Sequence, residues 1–431
     1  MATLQGGLQG RIGRSSAPAR PATRPALRSA AAAAPAPGRV ACSAAGGRHG
    51  GSSGDRQQEP DLLQRCALGL LAAATAVMPL TAFEVPPAYA RLTAGDPVKN
   101  ASAILRAALP INNKPIREAQ RDLESITEQL RVPGSKSLGP IARSVRGAQS
   151  VVTSQRDKIT ADFAPAKRAE GEAALAKLEA SLVEFQAIID AKDKQLVPIK
   201  QRECLEYLGA VEEAMVSGLG FDVPKEYADR PLLKGRATLE MKVKIRETPE
   251  GPQEPTLTIV LDGYNAPVSA GQFLDLVQRK FYDGMEIQRA DGFVVQTGDP
   301  DGPETGFLDG SGKLRTVPME IRVAGDASPV YDLNLEDLGR FNETPVLPFN
   351  AYGTLAWARA EFDNNSASSQ VFFLLKESEL TPSGANLLDG RYAVFGYVTQ
   401  GQDALGLMKV GDKIEFIRAI KGEDNLVAGG N

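Results

Sequence analysis

The chain has 431 residues, of which 42% are hydrophobic, 24% charged and 6% aromatic, with 49 basic and 53 acidic residues. This length predicts two or three domains, and the apolar fraction is high enough to build their cores. The composition excludes a wholly disordered chain and a collagen-like chain.

The first 90 residues have the pattern of two targeting signals in series. Before Asp55 the chain contains no acidic residue and seven arginines, which are Arg11, Arg14, Arg20, Arg24, Arg28, Arg39 and Arg48. This composition is typical of an organelle transit peptide. An apolar run over residues 66–80 follows, and then Ala88-Tyr89-Ala90, a small-x-small cleavage site. Two signals predict passage through two membranes, and the thylakoid lumen of a chloroplast is the simplest such destination.

The alternative is a disordered tail followed by one membrane anchor. Pro79, Pro86 and Pro87 interrupt the end of the apolar segment, which favours a removable signal over a membrane-spanning helix. We therefore expect a mature protein that is soluble and at most peripheral to the thylakoid membrane.

Cleavage after Ala90 changes the charge and the chemistry of the chain. It removes nine arginines and four acidic residues, and it leaves 40 basic and 49 acidic residues, a net charge of −9. An acidic protein argues against a nucleic-acid partner. The only histidine, His49, and two of the three cysteines are also removed, so a histidine base, a His-ligated metal and an internal disulfide are excluded. The remaining Cys204 is predicted to be a buried or semi-buried helix residue, and an intermolecular disulfide is the weaker alternative.

Residues 91–220 carry apolar residues at steps of three and four, which predict three or four amphipathic helices. Asn113 is the candidate N-cap of the first, a second is expected over residues 138–162, and Pro198 is expected to interrupt or kink the third. The longest apolar stripe consists of Leu175, Leu178, Leu182, Phe185 and Ile189. We interpret it as the core of an antiparallel bundle. A coiled-coil dimer through the stripe is the alternative, although about two heptads are short for one.

Residues 235–431 change to an alternating period, which predicts β-strands separated by Gly-rich turns. The expected strands are residues 239–245, 256–261, 292–296, 354–358, 371–375, 392–398 and 413–417. Short helices are expected over residues 269–281 and near 402–408, and residues 221–234 are predicted to be a linker. The predicted fold class is α+β and multidomain, with the helical bundle (91–220) followed by a closed β-barrel (235–431).

Five sequence blocks occur in order in the β-rich segment. They are APVS (266–269) with FYDGM (281–285), QR (288–289) with GFVVQTGDP (292–300), GTLAWAR (353–359), SQVF (369–372) and LDGRYAVFG (388–396). In this order they resemble the cyclophilins. With the two-part presequence and the helical segment, the whole chain is similar to the multidomain cyclophilins of the thylakoid lumen, a family associated with the assembly and maintenance of photosystem II.

The resemblance implies a peptidyl-prolyl cis-trans isomerase site, which rotates an X–Pro bond against a barrier of roughly 18 to 20 kcal/mol. It implies Arg289 as the catalytic guanidinium, which donates toward the prolyl amide in the twisted transition state. The implied substrate-binding residues are Phe293, Val294, Phe372 and Leu388 in the pocket wall, Ala358 in its floor, Gln296 and Gln370 as hydrogen-bonding groups, and Tyr392 in place of the family's late histidine. The resemblance implies no metal and no cofactor.

Several positions depart from the cyclophilin pattern. The residue before the arginine, usually histidine, is Gln288, and the loop from Arg289 to Phe293 is one residue shorter. Trp357 replaces a smaller residue, and its larger ring is expected to occlude the cleft. A displacement of the arginine by about 1 Å costs on the order of 100-fold in rate. We therefore predict a domain that binds proline better than it isomerises it.

An insertion over about 317–348 exceeds what a compact barrel needs. Long insertions of this kind are often functional. Three roles are open for it: contact with a partner, folding against the helical segment so that it covers the cleft, and a solvated loop without a role.

Three functions are compatible with these patterns. The first is a lumenal assembly factor or chaperone of photosystem II with weak or absent isomerase activity. The second is an active peptidyl-prolyl isomerase for lumenal clients, so the expected partners are photosystem II subunits or other lumenal proteins with exposed X–Pro segments. The third is a regulator of a thylakoid phosphatase that binds through the helical segment, and exposed apolar residues on the Leu175 stripe would favour it.

Overall fold

The computed structural model describes residues 98–131, 138–376 and 386–429. The predicted targeting segment, residues 1–90, lies outside these ranges. They contain a helical part (residues 101–214) and a sheet part (residues 232–427). No helix within the described ranges has the length and apolar character needed to cross a membrane.

The described helical part contains four long helices and two short ones. They are α1 (Ala101–Ala107), α2 (Lys114–Leu130), α3 (Leu138–Ser154), α4 (Arg156–Ala161), α5 (Arg168–Asp190) and α6 (Val197–Ala214). Helix α2 packs against α3 and α6, and α5 packs against the same two helices. Asn113 caps α2 as predicted, because its side-chain oxygen accepts a hydrogen bond from the backbone N–H of Ile116 at 3.0 Å. The long helices therefore form a four-helix bundle.

The long apolar stripe of α5 lies inside this bundle. All five of its residues, from Leu175 to Ile189, are at most 5% exposed. The stripe is therefore bundle core and offers no face for a coiled-coil dimer. The structure differs from the predicted boundaries in two places: the predicted helix over 138–162 is divided at Gln155, and Pro198 lies in the first turn of α6, where a missing N–H costs no hydrogen bond. Cys204 is buried in α6, as predicted.

The sheet part is built around one eight-stranded antiparallel sheet. The strand bounds are β1 (Leu232–Leu233), β2 (Arg236–Lys244), β3 (Thr256–Asp262), β4 (Ile287–Ala290), β5 (Val294–Thr297), β6 (Glu320–Ile321), β7 (Val330–Tyr331), β8 (Thr354–Trp357), β9 (Val371–Leu374), β10 (Val394–Gln400), β11 (Lys413–Lys421) and β12 (Leu426–Val427). The strands of the main sheet follow the order β11, β2, β3, β10, β8, β9, β5, β4, and α7 (Pro267–Gln278) packs against this sheet. Burial alternates along β2, which is the period that its sequence predicts.

The two edges of this sheet meet at a short seam. Glu286, just before β4, forms an isolated bridge with Lys413 of β11. The backbone N–H of Gly284 donates to the carbonyl of Ile414 at 2.7 Å beside it. The sheet is thus strongly curled, but a continuous ladder between β4 and β11 is missing, so the predicted closed barrel is not confirmed. Of the two predicted short helices, one is α7, whereas Gln402–Leu407 is a 3₁₀ helix.

Helix α1 joins the helical part to the sheet part. The hydrophobic core of the sheet part includes two residues of this helix, Ile104 and Leu105, and its C-cap, Ala108. The guanidinium of Arg236 on β2 donates to the carbonyl oxygen of Leu105 at 2.5 Å, and Asn265 Nδ2 donates to that of Ala108 at 3.0 Å. A second contact runs in the opposite direction, because Tyr264 of the sheet part lies in the hydrophobic core of the bundle. The two parts therefore share side chains across their junction.

The predicted insertion folds onto the sheet part. Its hairpin β6–β7 carries Glu320, a buried carboxylate that accepts hydrogen bonds from the backbone N–H groups of Val268 and Ser269, at 3.2 and 2.7 Å, in the first turn of α7. The N–H of Leu335 donates to the carbonyl of Gly390 at 2.9 Å. The insertion therefore braces α7 and borders the loop before β10. It also exposes three apolar side chains, Leu333, Leu338 and Phe341.

Candidate functional site

An open groove of about 550 Å³ crosses one face of the curled sheet. All nine residues that the sequence predicts for the site line it: Arg289, Phe293, Val294, Gln296, Ala358, Gln370, Phe372, Leu388 and Tyr392. The sequence did not single out the other lining residues, which are Thr305, Arg359, Ala360, Ser366 and Ser368. None of the described residues of the bundle or of the 317–348 insertion lines the groove, so neither covers it.

Strand alternation brings the central residues of the groove together. Val294 and Gln296 on β5 are two positions apart, and so are Gln370 and Phe372 at the start of β9, so each pair projects from one face of the sheet. Gln296 stands opposite Phe372 in the β5–β9 ladder and opposite Arg289 in the β4–β5 ladder. Three neighbouring strands thus place the guanidinium, an amide and an aromatic ring side by side.

The two glutamines form a fixed hydrogen-bond chain along the groove. Gln296 Nε2 donates to Gln370 Oε1 at 2.9 Å, and Gln370 Nε2 donates to Asp299 Oδ1 at 2.9 Å. Gly298 permits the backbone next to Asp299 to lie close to the backbone before Gln370. It has a φ of 103°, and a Cβ atom there would lie 2.2 Å from the carbonyl oxygen of Ser369. The amides are therefore held by the sheet, with little freedom to follow a bound peptide.

The apolar wall is made of stacked rings. Phe372 packs parallel to Phe349, with ring centroids 5.9 Å apart, and edge-on to Tyr392 at 5.5 Å. The guanidinium of Arg359 lies over the ring of Tyr392, 4.9 Å from its centroid. Tyr392 is thus part of the wall of the groove. The wall suits the apolar ring of a proline side chain.

A buried carboxylate anchors the loop that carries Leu388. Asp389 accepts hydrogen bonds from the backbone N–H groups of Phe349 at 2.7 Å and Asn386 at 3.0 Å. Burial raises the pKa of Asp389 to about 6. The position of Leu388 at the groove therefore depends on an internal carboxylate that protonates in mildly acidic solution.

The guanidinium of Arg289 is held by a neighbouring carboxylate. Arg289 Nε donates to Asp291 Oδ2 at 2.7 Å, and Nη2 lies 2.5 Å from the same oxygen. The other oxygen of Asp291 accepts from the backbone N–H groups of Phe293 and Val294, each at 2.9 Å. Hydrogen bonds from Val294, from Phe293 and from Arg289 lower the pKa of Asp291 to about 2. The carboxylate is therefore ionised at any pH at which the protein works.

Sequence reasoning missed Asp291, although a signal for it exists. It stands two residues after Arg289 and directly after the end of β4, where the alternation of the strand, continued by one residue, places it on the same face as Arg289. Because the loop is short, the chain has only Gly292, with φ of 78°, between the aspartate and Phe293. An acidic residue at this distance from the arginine predicts an ion pair.

The prediction that Trp357 occludes the cleft is wrong. Its side chain is only 2% exposed and points into the core, where it stacks on Phe395 with centroids 4.9 Å apart and meets Phe273 edge-on at 6.2 Å. It does not line the groove, because alternation on β8 sends it to the face opposite Ala358. Gln288 is likewise turned away, and its Nε2 donates to the carbonyl of Asp299 at 3.1 Å.

The site offers hydrogen-bond donors and an apolar surface. Across residues 98–131, 138–376 and 386–429, no group of three or more His, Cys, Asp or Glu side chains is placed to hold a metal ion. The chemistry that its own residues supply is the fixation of a peptide against an apolar wall and donation from a guanidinium to an amide.

Two family models match the chain. One, described as the PsbQ-like domain of CYP38-like peptidyl-prolyl cis-trans isomerases, covers residues 100–216. The other, described as cyclophilin type peptidyl-prolyl cis-trans isomerase/CLD, covers residues 243–422. The matches together include the bundle, most of the curled sheet and the groove.

Three curated proteins are similar to this chain over most of its length. The chloroplastic peptidyl-prolyl cis-trans isomerase CYP38 of Arabidopsis thaliana is 50% identical over 376 residues, 84% of this chain and 86% of that protein. A putative thylakoid lumen peptidyl-prolyl cis-trans isomerase of Synechocystis is 45% identical over 340 residues, 78% of this chain and 86% of that protein. CYP37 of Arabidopsis thaliana is 32% identical and covers 75% of this chain.

These relatives agree with the location that the two targeting signals predict, and the chain is a protein of the chloroplast thylakoid lumen. The two domain matches and the long alignments also agree with the five sequence blocks. The chain therefore belongs to the cyclophilin family of peptidyl-prolyl cis-trans isomerases, among the lumenal members that combine a PsbQ-like helical domain with a cyclophilin domain.

Proposed function

We propose that this protein is an assembly factor or chaperone of photosystem II that holds proline-containing segments of lumenal proteins in its groove, with weak or absent isomerase activity. The observation that supports this most is the state of the groove. All the predicted wall residues line the groove, and the groove is open to solvent, whereas its guanidinium is already bound to the carboxylate of Asp291. Such a site favours binding of a peptide over rotation about its X–Pro bond.

The chemistry of proline isomerisation explains why the guanidinium matters. Rotation about the X–Pro bond removes amide resonance, and the prolyl nitrogen becomes a better hydrogen-bond acceptor only as the bond twists. A donor that acts at that moment stabilises the transition state more than the bound substrate. A guanidinium that must first leave Asp291 gives up part of this advantage, because its hydrogen bonds are already made.

The groove has apolar side chains around it that suit a client segment longer than one residue. Three of them are well exposed: Phe293 at 40%, Leu387 at 82% and Phe362 at 95%. Exposed apolar groups of this size around a cleft are typical of protein-binding surfaces. They support the binding of an unfolded or extended chain of a client protein.

The alternative is an active isomerase for lumenal clients. It is favoured by the exposure of Arg289, whose side chain remains 52% accessible at the groove and is free to reach a bound peptide once the ion pair opens. The third function, regulation of a phosphatase through the Leu175 stripe, has lost its support because the stripe is buried.

Replacing Arg289 by Ala separates the two uses of the groove. We expect kcat/KM for a proline peptide to fall by at least about 10-fold from whatever activity the protein has, while the Kd of the peptide changes by less than about 3-fold. Phe293→Ala is expected to weaken binding instead, because it removes an exposed part of the wall. Isomerisation is followed with a protease-coupled assay and binding by calorimetry.

Arg418→Ala is the matched control, because Arg418 is an exposed arginine on β11, the other edge strand. It should change neither quantity. Peptide affinity that is unaffected by Phe293→Ala would count against the groove as the binding surface. Activity unaffected by Arg289→Ala would remove the isomerase alternative.

The assembly role is tested in a plant or alga that lacks this protein. We expect slower assembly of photosystem II and slower recovery after strong light, and we expect the native gene but not the Phe293→Ala variant to restore both. Normal assembly and recovery without the protein would contradict the proposal. Full restoration by Phe293→Ala would move the function from the groove to another surface.

A further inference from the structure

The turn between β4 and β5 is built around one aspartate. Both oxygens of Asp291 are in use: Oδ1 accepts from two backbone N–H groups of the turn, and Oδ2 accepts from Arg289. Because the backbone bonds fix the carboxylate, it is a rigid anchor for the arginine. Among the described residues, the hydrogen bonds of the Arg289 side chain all go to Asp291.

The neighbouring amide is not available to take the place of this anchor. Gln296 stands opposite Arg289 in the ladder, but its side-chain amide is committed to Gln370 at 2.9 Å. The guanidinium is therefore held by a charge at the turn, and among the described residues its hydrogen bonds do not include the neighbouring amide chain.

We propose that Asp291 is a positioning residue that holds the Arg289 guanidinium in a resting position and thereby sets the low isomerase rate of this groove. This rests on the proposed function, because it assumes that proline peptides bind there. A bound prolyl amide competes with the carboxylate for the same donor. The competition is greatest in the transition state, because the prolyl nitrogen accepts a hydrogen bond only there. The ion pair with Asp291 therefore lowers kcat and leaves KM nearly unchanged.

The ion pair between Asp291 and Arg289 does not respond to mild acidification. The pKa of Asp291 is lowered to about 2, so the carboxylate keeps its charge in mildly acidic solution. The groups that face this pair are the backbone N–H groups of Phe293 and Val294, which do not titrate. Salt is the variable that acts on it, because both partners are partly exposed, at 52% and 40%.

The experiment is a comparison of Asp291→Asn with the native protein. Asparagine keeps an oxygen for the two backbone N–H groups and removes the charge that binds Arg289. We expect kcat to rise by about 5-fold, which is the size of a partly exposed ion pair expressed as a rate. KM should stay within about 2-fold, and the gain should be constant between about pH 5 and pH 8. Raising the salt concentration should move the native protein toward the variant and leave the variant unchanged.

Asp309→Asn is the matched control. Asp309 is also a turn aspartate that accepts from backbone N–H groups, those of Ser311 at 2.8 Å and Lys313 at 3.0 Å, but it does not line the groove. It should leave kcat unchanged. In the Arg289→Ala background, Asp291→Asn should also produce no gain, because the residue acts only through the guanidinium.

A spectroscopic measurement separates positioning from a change in the turn. In the native protein the Nε–H resonance of Arg289 should show slow exchange with water, and Asp291→Asn should make that exchange faster. A variant that keeps its thermal midpoint and its peptide affinity but shows an unchanged or lower kcat overturns the proposal. If neither the native protein nor the variant binds a proline peptide, the proposed function itself has failed. That result differs from an unchanged kcat with normal peptide binding, which overturns only the role of Asp291.

Discussion

Replacing Arg236 by Met is expected to lower the free energy of unfolding by about 3–5 kcal/mol, the cost of removing one partner of a buried ion pair. Arg236 donates to Asp262 Oδ2 at 3.0 Å through Nε and at 2.6 Å through Nη2, and the side chain of Asp262 is fully buried. Methionine fills much of the same volume, so the loss is mainly electrostatic. It leaves a buried carboxylate without its cation and the carbonyl of Leu105 without its donor.

Two signals follow unfolding in the two parts. The only tryptophan of the chain, Trp357, lies in the core of the sheet part, so its fluorescence reports that part. Far-UV circular dichroism near 222 nm reports mainly the helices. Both curves should shift to lower denaturant, because Arg236 joins β2 to α1. Arg131→Met is the control, since Arg131 forms an exposed ion pair with Glu128, and it should cost less than about 1 kcal/mol.

A loss below about 1 kcal/mol for Arg236→Met would contradict this account of the junction. A shift confined to the fluorescence would contradict it differently, by showing that the helices do not depend on the contact. The expected joint shift has a structural basis, because α1 has its apolar residues in the core of the sheet part.

The sequence predicted the long helices and seven of the eight strands of the main sheet because their patterns are local, but it missed β4. The steps of three and four on α5 and the alternation on β2 need only the neighbouring residues to be recognised. Helix α1 was missed for the opposite reason. It has seven residues, too few to be stable alone, and it is held by contacts with residues more than 130 positions away, such as Arg236.

The site was predictable to the extent that it repeats a family pattern. The nine residues were identified from five blocks, and strand alternation brings them to one groove. Trp357 was misplaced because position in a block does not say which face a residue takes, and the counting of faces along β8 would have shown it. The edge of the sheet and the path of the insertion depend on long-range packing, which no local pattern contains.

Glu212 is expected to make the helical part more stable in acid than in alkali. Its side chain is fully buried, and burial raises its pKa to about 7, although the nearby Arg117 and Arg106 oppose the shift. A raised pKa means that the folded state binds the proton more tightly than the unfolded state. The stabilisation is therefore complete below pH 4.5, the ordinary pKa, and is lost as the pH rises through 7.

The size of the effect follows from the two pKa values. Between about pH 5.5 and pH 8 the free energy of unfolding should fall by about 2 kcal/mol through Glu212 alone. The surroundings include charges of both signs: Arg117 at 3.2 Å, with Arg106, Glu124 and Arg236 further away. A fall in pH over this range therefore stabilises the bundle through Glu212.

Glu212→Gln removes the titration and should flatten this slope, which is measured from denaturant unfolding followed by circular dichroism at several pH values. Glu206→Gln, an exposed change on the same helix, should leave the slope as it is. Asp389, whose pKa is raised to about 6, adds a slope of the same sign that extends to about pH 7, so the range from about pH 7 to pH 8 isolates Glu212. A slope that survives Glu212→Gln in that range would assign it to another group and remove Glu212 as the source of the acid stabilisation.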